Sequence, residues 1–223
     1  QDTMSTGQIS QFIIVLPEGD QGYWVDQSGG PQWGTYMAHD VVTQIDSRYR
    51  TLADRQYRAI GGLSMGGYGA LELAILYPDI FGVAGADSPS LHVFADAPPY
   101  YAANRTYFDA HDPVYLYKAH PDVARTIKLY IDDGAGDAWL PADQGFHDLL
   151  TAQGIPHEWH LFPGGHAGDY WSTHILDYLQ FYSSALASPP PATATPAPVA
   201  TPSEPWQPWL QPSPGTKGMI PLK

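Results

Sequence analysis

The 223-residue chain contains no cysteine, which removes disulfides, thiolate metal sites and a cysteine nucleophile from consideration. Basic residues are scarce. Ten Lys and Arg stand against 23 Asp and Glu, a formal net charge of −13. So acidic a chain repels phosphate backbones and anionic lipid surfaces, so neither nucleic acid nor a membrane is expected as a partner. No apolar run reaches the ~20 residues of a spanning helix, and no signal peptide is visible. Charged residues make up only 15% of the chain against 43% apolar ones, a balance suited to one globular core.

Proline is unevenly spread. Half of the 22 prolines fall in residues 188–223, among Ala, Thr and Ser. Such a stretch cannot build a helix or an interior strand and favours extended polyproline conformation. The expected organisation is therefore a catalytic domain over residues 1–187 and a proline-rich tail or linker over 188–223. Trp206, Trp209, Leu210, Met219 and Ile220 are unusual in a solvated tail.

Within the first 187 residues, short apolar runs alternate with helical patterns. Strands are expected at 11–16, 57–62, 81–86, 126–131 and 157–162. Helices are expected at 38–49, 68–77, 113–119, 143–153 and 169–186. The run 11–16 (Gln-Phe-Ile-Ile-Val-Leu) is continuously apolar, as for a strand buried on both faces. Residues 88–112 show no period and are expected to be a long loop of the binding kind. The alternation reads as an α/β fold, a doubly wound and mainly parallel sheet of about five strands. In such a sheet the functional residues gather at the carboxyl ends of the strands.

One of those ends carries the strongest signal. Residues 61–69 read Gly-Gly-Leu-Ser-Met-Gly-Gly-Tyr-Gly, a G-x-S-x-G pattern between an expected strand and an expected helix. A serine on so sharp a turn has its hydroxyl pushed clear of the backbone, and flanking glycines avoid Cβ clashes. The helix that follows also points free N–H groups at developing negative charge, Met65 first among them. Ser64 is thus the candidate nucleophile. A hydroxyl needs a base, and the base needs a third group to hold its tautomer. Of nine histidines, His166 follows the last strand in a glycine-rich loop that lets an imidazole reach inward. His39, His92, His111, His120 and His147 precede that strand and read as surface or capping residues. His157 and His160, three apart on one strand, point to opposite faces and cannot pair on a metal. No metal and no cofactor is expected. The acid should follow the preceding strand, where Asp132, Asp133 and Asp137 all stand. Asp137 closes the turn after Gly134 and Gly136 and is favoured over Asp133.

These segments resemble an esterase family that includes esterase D (S-formylglutathione hydrolase), bacterial feruloyl and acetyl-xylan esterases and the mycolyltransferases. The similarity runs from Phe12 to Leu186. It rests on 14–19 (Ile-Val-Leu-Pro-Glu-Gly), 49–71 around the elbow, 77–82 (Tyr-Pro-Asp-Ile-Phe-Gly), 134–137 (Gly-Ala-Gly-Asp) and 164–166 (Gly-Gly-His). The resemblance implies an α/β-hydrolase fold with Asp137 and His166 completing a triad. It further implies two or three strands ahead of Phe12, the third lying between 12–16 and 57–62 and ending in a His-Gly loop that gives one oxyanion N–H. Nothing before Phe12 matches them. The chain accordingly reads as lacking the N-terminal strands: a fragment, a rearranged minimal sheet, or a sheet completed by another segment or subunit. Direct pairing of 12–16 with 57–62 is the favoured arrangement, with an inserted segment as the other. Pairing would bring the Glu18–Tyr23 loop to Ser64 as a substitute oxyanion donor.

A serine triad specifies acyl transfer without naming the acyl group. Tyr23, Trp24, Tyr100, Tyr101, Trp139 and Trp171 are candidate substrate contacts, together with Tyr170, and an aromatic lining suits aryl or sugar-linked esters. The expected function is hydrolysis of short-chain, aryl (feruloyl-type) or carbohydrate-linked esters. Transfer to a sugar and a catalytically impaired binding module are the alternatives. The Pro-Thr tail resembles bacterial extracellular linkers and favours secretion.

Overall fold

The computed structural model describes residues 4, 6–98 and 104–186; the proline-rich segment 188–223, Tyr100 and Tyr101 lie outside them. Four strands form one sheet: β1 (Ala59–Leu63), β2 (Val83–Asp87), β3 (Lys128–Gly134) and β4 (Glu158–Phe162). Their order is β1-β2-β3-β4, and every pair is parallel. Helices intervene throughout. The first, α1, joins Trp33–Thr35, a π-helical turn Tyr36–Val41, and Val42–Arg48. Then come α2 (Met65–Leu76), α3 (Arg105–Asp109), α4 (Pro113–Ala119), α5 (Pro121–Ala124), α6 (Leu140–Ala152) and α7 (Gly168–Ala185).

The two faces of the sheet follow from strand periodicity. Ala84, Ala86, Leu129 and Ile131 turn to one side and join the main core with Leu71, Leu73 and Ala74 of α2, Leu116 and Tyr117 of α4, and Phe146 and Leu150 of α6. Val83 and Tyr130 turn to the other side, against Tyr178, Phe181 and Ala185 of α7. With both faces covered, all five residues of β2 are buried, which is why its first four are small and apolar instead of alternating with polar ones. Helix α2 is buried almost all round for the same reason. Local signals start the smaller helices: Asn104 Oδ1 accepts from Tyr107 N–H at 2.7 Å, and Asp112 Oδ2 from Tyr115 N–H at 2.9 Å with Pro113 opening α4.

The expected first strand is absent: residues 11–19 take no regular structure. Ile13, Ile14, Val15 and Leu16 are exposed, Leu16 at 90%. Between this segment and β1 lies a cleft of about 670 Å³, walled by Phe12 and Ile14 on one side, Ile60 and Gly61 of β1 on another, and Val41 and Ile45 of α1. Direct pairing is thereby overturned, and no described residue fills the gap as an inserted strand. The premise for a substitute oxyanion donor from Glu18–Tyr23 goes with direct pairing. An apolar run specifies burial, but a strand also needs a ladder partner at one inter-strand spacing, and β1 does not come within reach of 11–16. Among the described residues the sheet therefore has four strands.

Several carboxyls are buried in this core. Burial raises Glu72 to about 7, offset in part by its 2.7 Å contact with His111 Nδ1, and raises Asp112 to about 6. Asp87 is raised first by burial and then by the charge of Asp132; Asp132 is itself raised by burial. Each group binds its proton more tightly folded than unfolded, so between its unfolded value near 4 and its folded value the native state holds the extra proton. For Glu72 and Asp112 that contribution is fully present below about pH 4 and is lost as pH rises through about 6 to 7. The melting temperature is therefore expected to be higher at pH 5 than at pH 8, the reverse of ordinary acid sensitivity. Glu72→Gln should flatten this slope. Thermal melts across that range check it, and a melting temperature that climbs from pH 5 to 8 would contradict it.

Candidate active site

Strand β1 ends at Leu63, and α2 begins at Met65, leaving Ser64 alone to make the turn. It does so with φ 54° and ψ −116°, a conformation that L-residues rarely hold. Gly62 permits it: a Cβ there would stand 2.8 Å from Gly66 Cα. The backbone of the turn is fixed on the next strand, with Ser64 N–H donating to Asp87 O at 3.0 Å and Ser90 N–H to Ser64 O at 3.2 Å. Met65 is the first residue of the helix, so its N–H has no acceptor within the helix.

Two other strand ends supply what the hydroxyl faces. The turn after β3 and the loop after β4 are joined by backbone hydrogen bonds, Ala135 N–H to Phe162 O at 2.8 Å and Gly136 N–H to Gly164 O at 2.7 Å. They approach so closely that a Cβ on Gly134 would stand 2.8 Å from the Gly164 carbonyl carbon. This contact aligns Asp137 with His166. Asp137 Oδ2 lies 2.7 Å from His166 Nδ1, and His166 Nε2 lies 2.7 Å from Ser64 Oγ. The Asp137 side chain is fully buried, and its other oxygen accepts from Trp139 N–H at 2.9 Å. Asp133 accepts from Gly134 N–H at 2.7 Å, and Asp132 accepts from the hydroxyls of Tyr170 and Tyr178 beneath α7. Of the three aspartates, Asp137 is the one the structure brings to His166.

The aromatic candidates divide. Trp171 sets its ring edge on His166 at 5.0 Å between centroids, and Trp139 sets its ring against His92 at 4.7 Å. Tyr23 Oη is 3.3 Å from Ser90 Oγ, and its ring meets Tyr68 and His92 edge-on. Trp24 packs between Gly19 and Gly69, so tightly that a Cβ on either would fall 2.3 Å from its ring, and it borders the cleft beside β1. Tyr170 turns inward to Asp132. Both Tyr23 and Trp24 hold positive φ, 53° and 63°. Among the described residues no group of three or more His, Cys, Asp or Glu is arranged to hold a metal ion.

Against the expectation of surface or capping roles, the His92 side chain is only 7% exposed, and His111 pairs with buried Glu72. Sequence reasoning passed over Asp143. Asp143 stands with Phe146 and Leu150 on the buried face of α6, and that spacing of three and four is visible in the sequence.

Strand order, intervening helices and a serine raised on the turn out of β1 define the α/β-hydrolase class. Within it, the chain belongs to the family described as "Putative esterase", whose profile matches residues 1–182. Esterase Rv1288 of Mycobacterium tuberculosis is 28% identical over 193 residues, covering 70% of this chain and 41% of that protein. The chain thus spans well under half of that relative. An acetyl esterase of Caldicellulosiruptor saccharolyticus is 23% identical over 189 residues, with 76% of this chain and 71% of that one covered. Among solved structures, a ferulic acid esterase superposes with a TM-score of 0.72 at 24% identity, covering 83% of this chain and 75% of its own.

Proposed function

We propose that this chain is a serine carboxylic-ester hydrolase acting through an acyl-enzyme on short-chain, aryl or sugar-linked esters. The observation that carries the reading is the unbroken line Ser64 Oγ–His166 Nε2, His166 Nδ1–Asp137 Oδ2, 2.7 Å at each link. An ionised carboxylate only accepts, so Nδ1 carries the proton and Nε2 is left free to take one from the serine hydroxyl. Ser64 Oγ attacks the ester carbonyl carbon while its proton passes to His166. The tetrahedral oxyanion forms beside the Met65 N–H at the positive end of α2. Collapse expels the alcohol, which takes the proton from His166. Water then repeats the sequence on the acyl-serine and releases the acid. Trp171 beside His166, with Trp139 and Tyr23 around the neighbouring loops, supports an aromatic or sugar-bearing substrate.

The test is release of p-nitrophenol from p-nitrophenyl acetate and of ferulate from methyl ferulate, with mass spectrometry locating an acyl or phosphonyl adduct after a fluorophosphonate. Turnover together with an adduct on Ser64 supports the reading. An adduct elsewhere, or none with no turnover, leaves a binding module. Acylated sugar formed in preference to free acid, when a sugar acceptor is supplied, identifies an acyltransferase.

A further inference from the structure

The turn that carries Asp137 rests on two more carboxyls that the steps above do not use. Asp132 and Asp133 are consecutive in β3 and point to opposite faces. Asp132 goes under α7, whereas Asp133 goes to the side of α6, where Asp143 projects from the first helical turn. Asp133 and Asp143 are both fully buried. Asp133 Oδ1 takes the Gly134 N–H, but Asp133 Oδ2 and both oxygens of Asp143 have no N–H or hydroxyl donor in hydrogen-bonding geometry. They meet carboxyl groups instead: Asp143 faces Asp133, and Asp133 faces Asp137. Leu91 N–H gives Asp143 only a minor favourable contact. Carboxylates so placed cannot all ionise; a proton must stay, and the group that keeps it becomes the donor its neighbour lacks.

We infer that Asp133 and Asp143 are positioning residues of the hydrolytic site: Asp143, as a carboxylic acid, donates to Asp133, which backs onto Asp137 and so fixes the group that orients His166. The inference rests on the catalytic reading of Ser64, His166 and Asp137. Burial and then the charge of Asp133 push Asp143 up to about 10, so it is protonated at neutral pH. Burial and then the charge of Asp137 push Asp133 up to about 7. Below that pH Asp133 is neutral; above it Asp133 carries a negative charge, and that added charge favours the imidazolium that His166 becomes during attack. The groups facing Asp133 are Gly134 N–H on its own strand, Asp143 on α6, Asp137 on the turn and, further off, Tyr170 on α7.

Two substitutions at one position separate this from a packing role. Asp143→Asn keeps a neutral donor and should cost no more than about threefold in kcat, whereas Asp143→Leu fills the space without one and should lower kcat by ~10- to 100-fold with KM little changed. Asp133→Asn should remove one ionisation from the pH dependence of kcat/KM. Independently of activity, infrared spectra at pH 8 should show the C=O stretch of a protonated carboxyl in the wild type that Asp143→Asn lacks. Full activity in Asp143→Leu, equal impairment in both Asp143 variants, or identical infrared spectra would overturn the inference. Should Asp143→Leu fail to fold, the infrared comparison and the Asp133→Asn profile decide. A wild type that hydrolyses no ester would sink the functional reading, yet the infrared band would still report the proton on Asp143.

Discussion

Replacing Ser64 with alanine is expected to lower ester hydrolysis by a factor on the order of 10⁵, because the nucleophile and its base act as a unit. The fold should not notice. Ser64 Oγ has His166 as its hydrogen-bond partner, and the backbone bonds that shape the elbow, to Asp87 O and from Ser90 and Tyr68, are indifferent to the side chain. Alanine meets the same strain at φ 54° as serine does. His166→Ala should be about as damaging, and the double variant hardly worse than either. Steady-state rates with matched thermal melts check this. Retention of more than a few per cent of wild-type turnover by Ser64→Ala would remove Ser64 from the mechanism.

Asp137→Asn should cost on the order of 10³- to 10⁴-fold in kcat, the size of effect that the wrong imidazole tautomer produces. The structure says why the amide cannot escape by flipping. One Asp137 oxygen accepts from Trp139 N–H at 2.9 Å, so an asparagine keeps its carbonyl there and turns its NH₂ to His166. Nδ1 must then accept, the ring proton moves to Nε2, and nothing remains to take the proton of Ser64. Asp133→Asn keeps a hydrogen-bonding group behind Asp137 without touching His166, and its loss should be much smaller. If Asp133→Asn proved the more damaging in kcat, the acid would be assigned one turn too late.

The elbow was legible because its chemistry is local. A serine flanked by glycines between a strand and a helix specifies φ, helix start and hydroxyl exposure within nine residues. His166 was legible from its place after the last strand, and Asp137 from the glycine turn after the strand before it. The choice among Asp132, Asp133 and Asp137 was not a local matter. It turned on strand parity and on the close approach of Gly134 to Gly164, contacts between segments some thirty residues apart in the chain. Trp24 shows the limit from the other side, since an aromatic residue next to a site-forming loop looks the same in sequence whether it faces substrate or packs on a helix glycine.

Residue order alone thus dictated the α/β alternation, the helix that follows Ser64 and the loops that carry His166 and Asp137, because each depends on periodicity and turn chemistry along a short stretch. Tertiary structure decided whether 11–16 became a strand, which aspartate met the imidazole, and that the carboxyls of Asp133 and Asp143 are buried together. Those outcomes depend on what lies across the fold at hydrogen-bonding distance: a ladder partner that 11–16 does not reach, and a second carboxyl that Asp133 does.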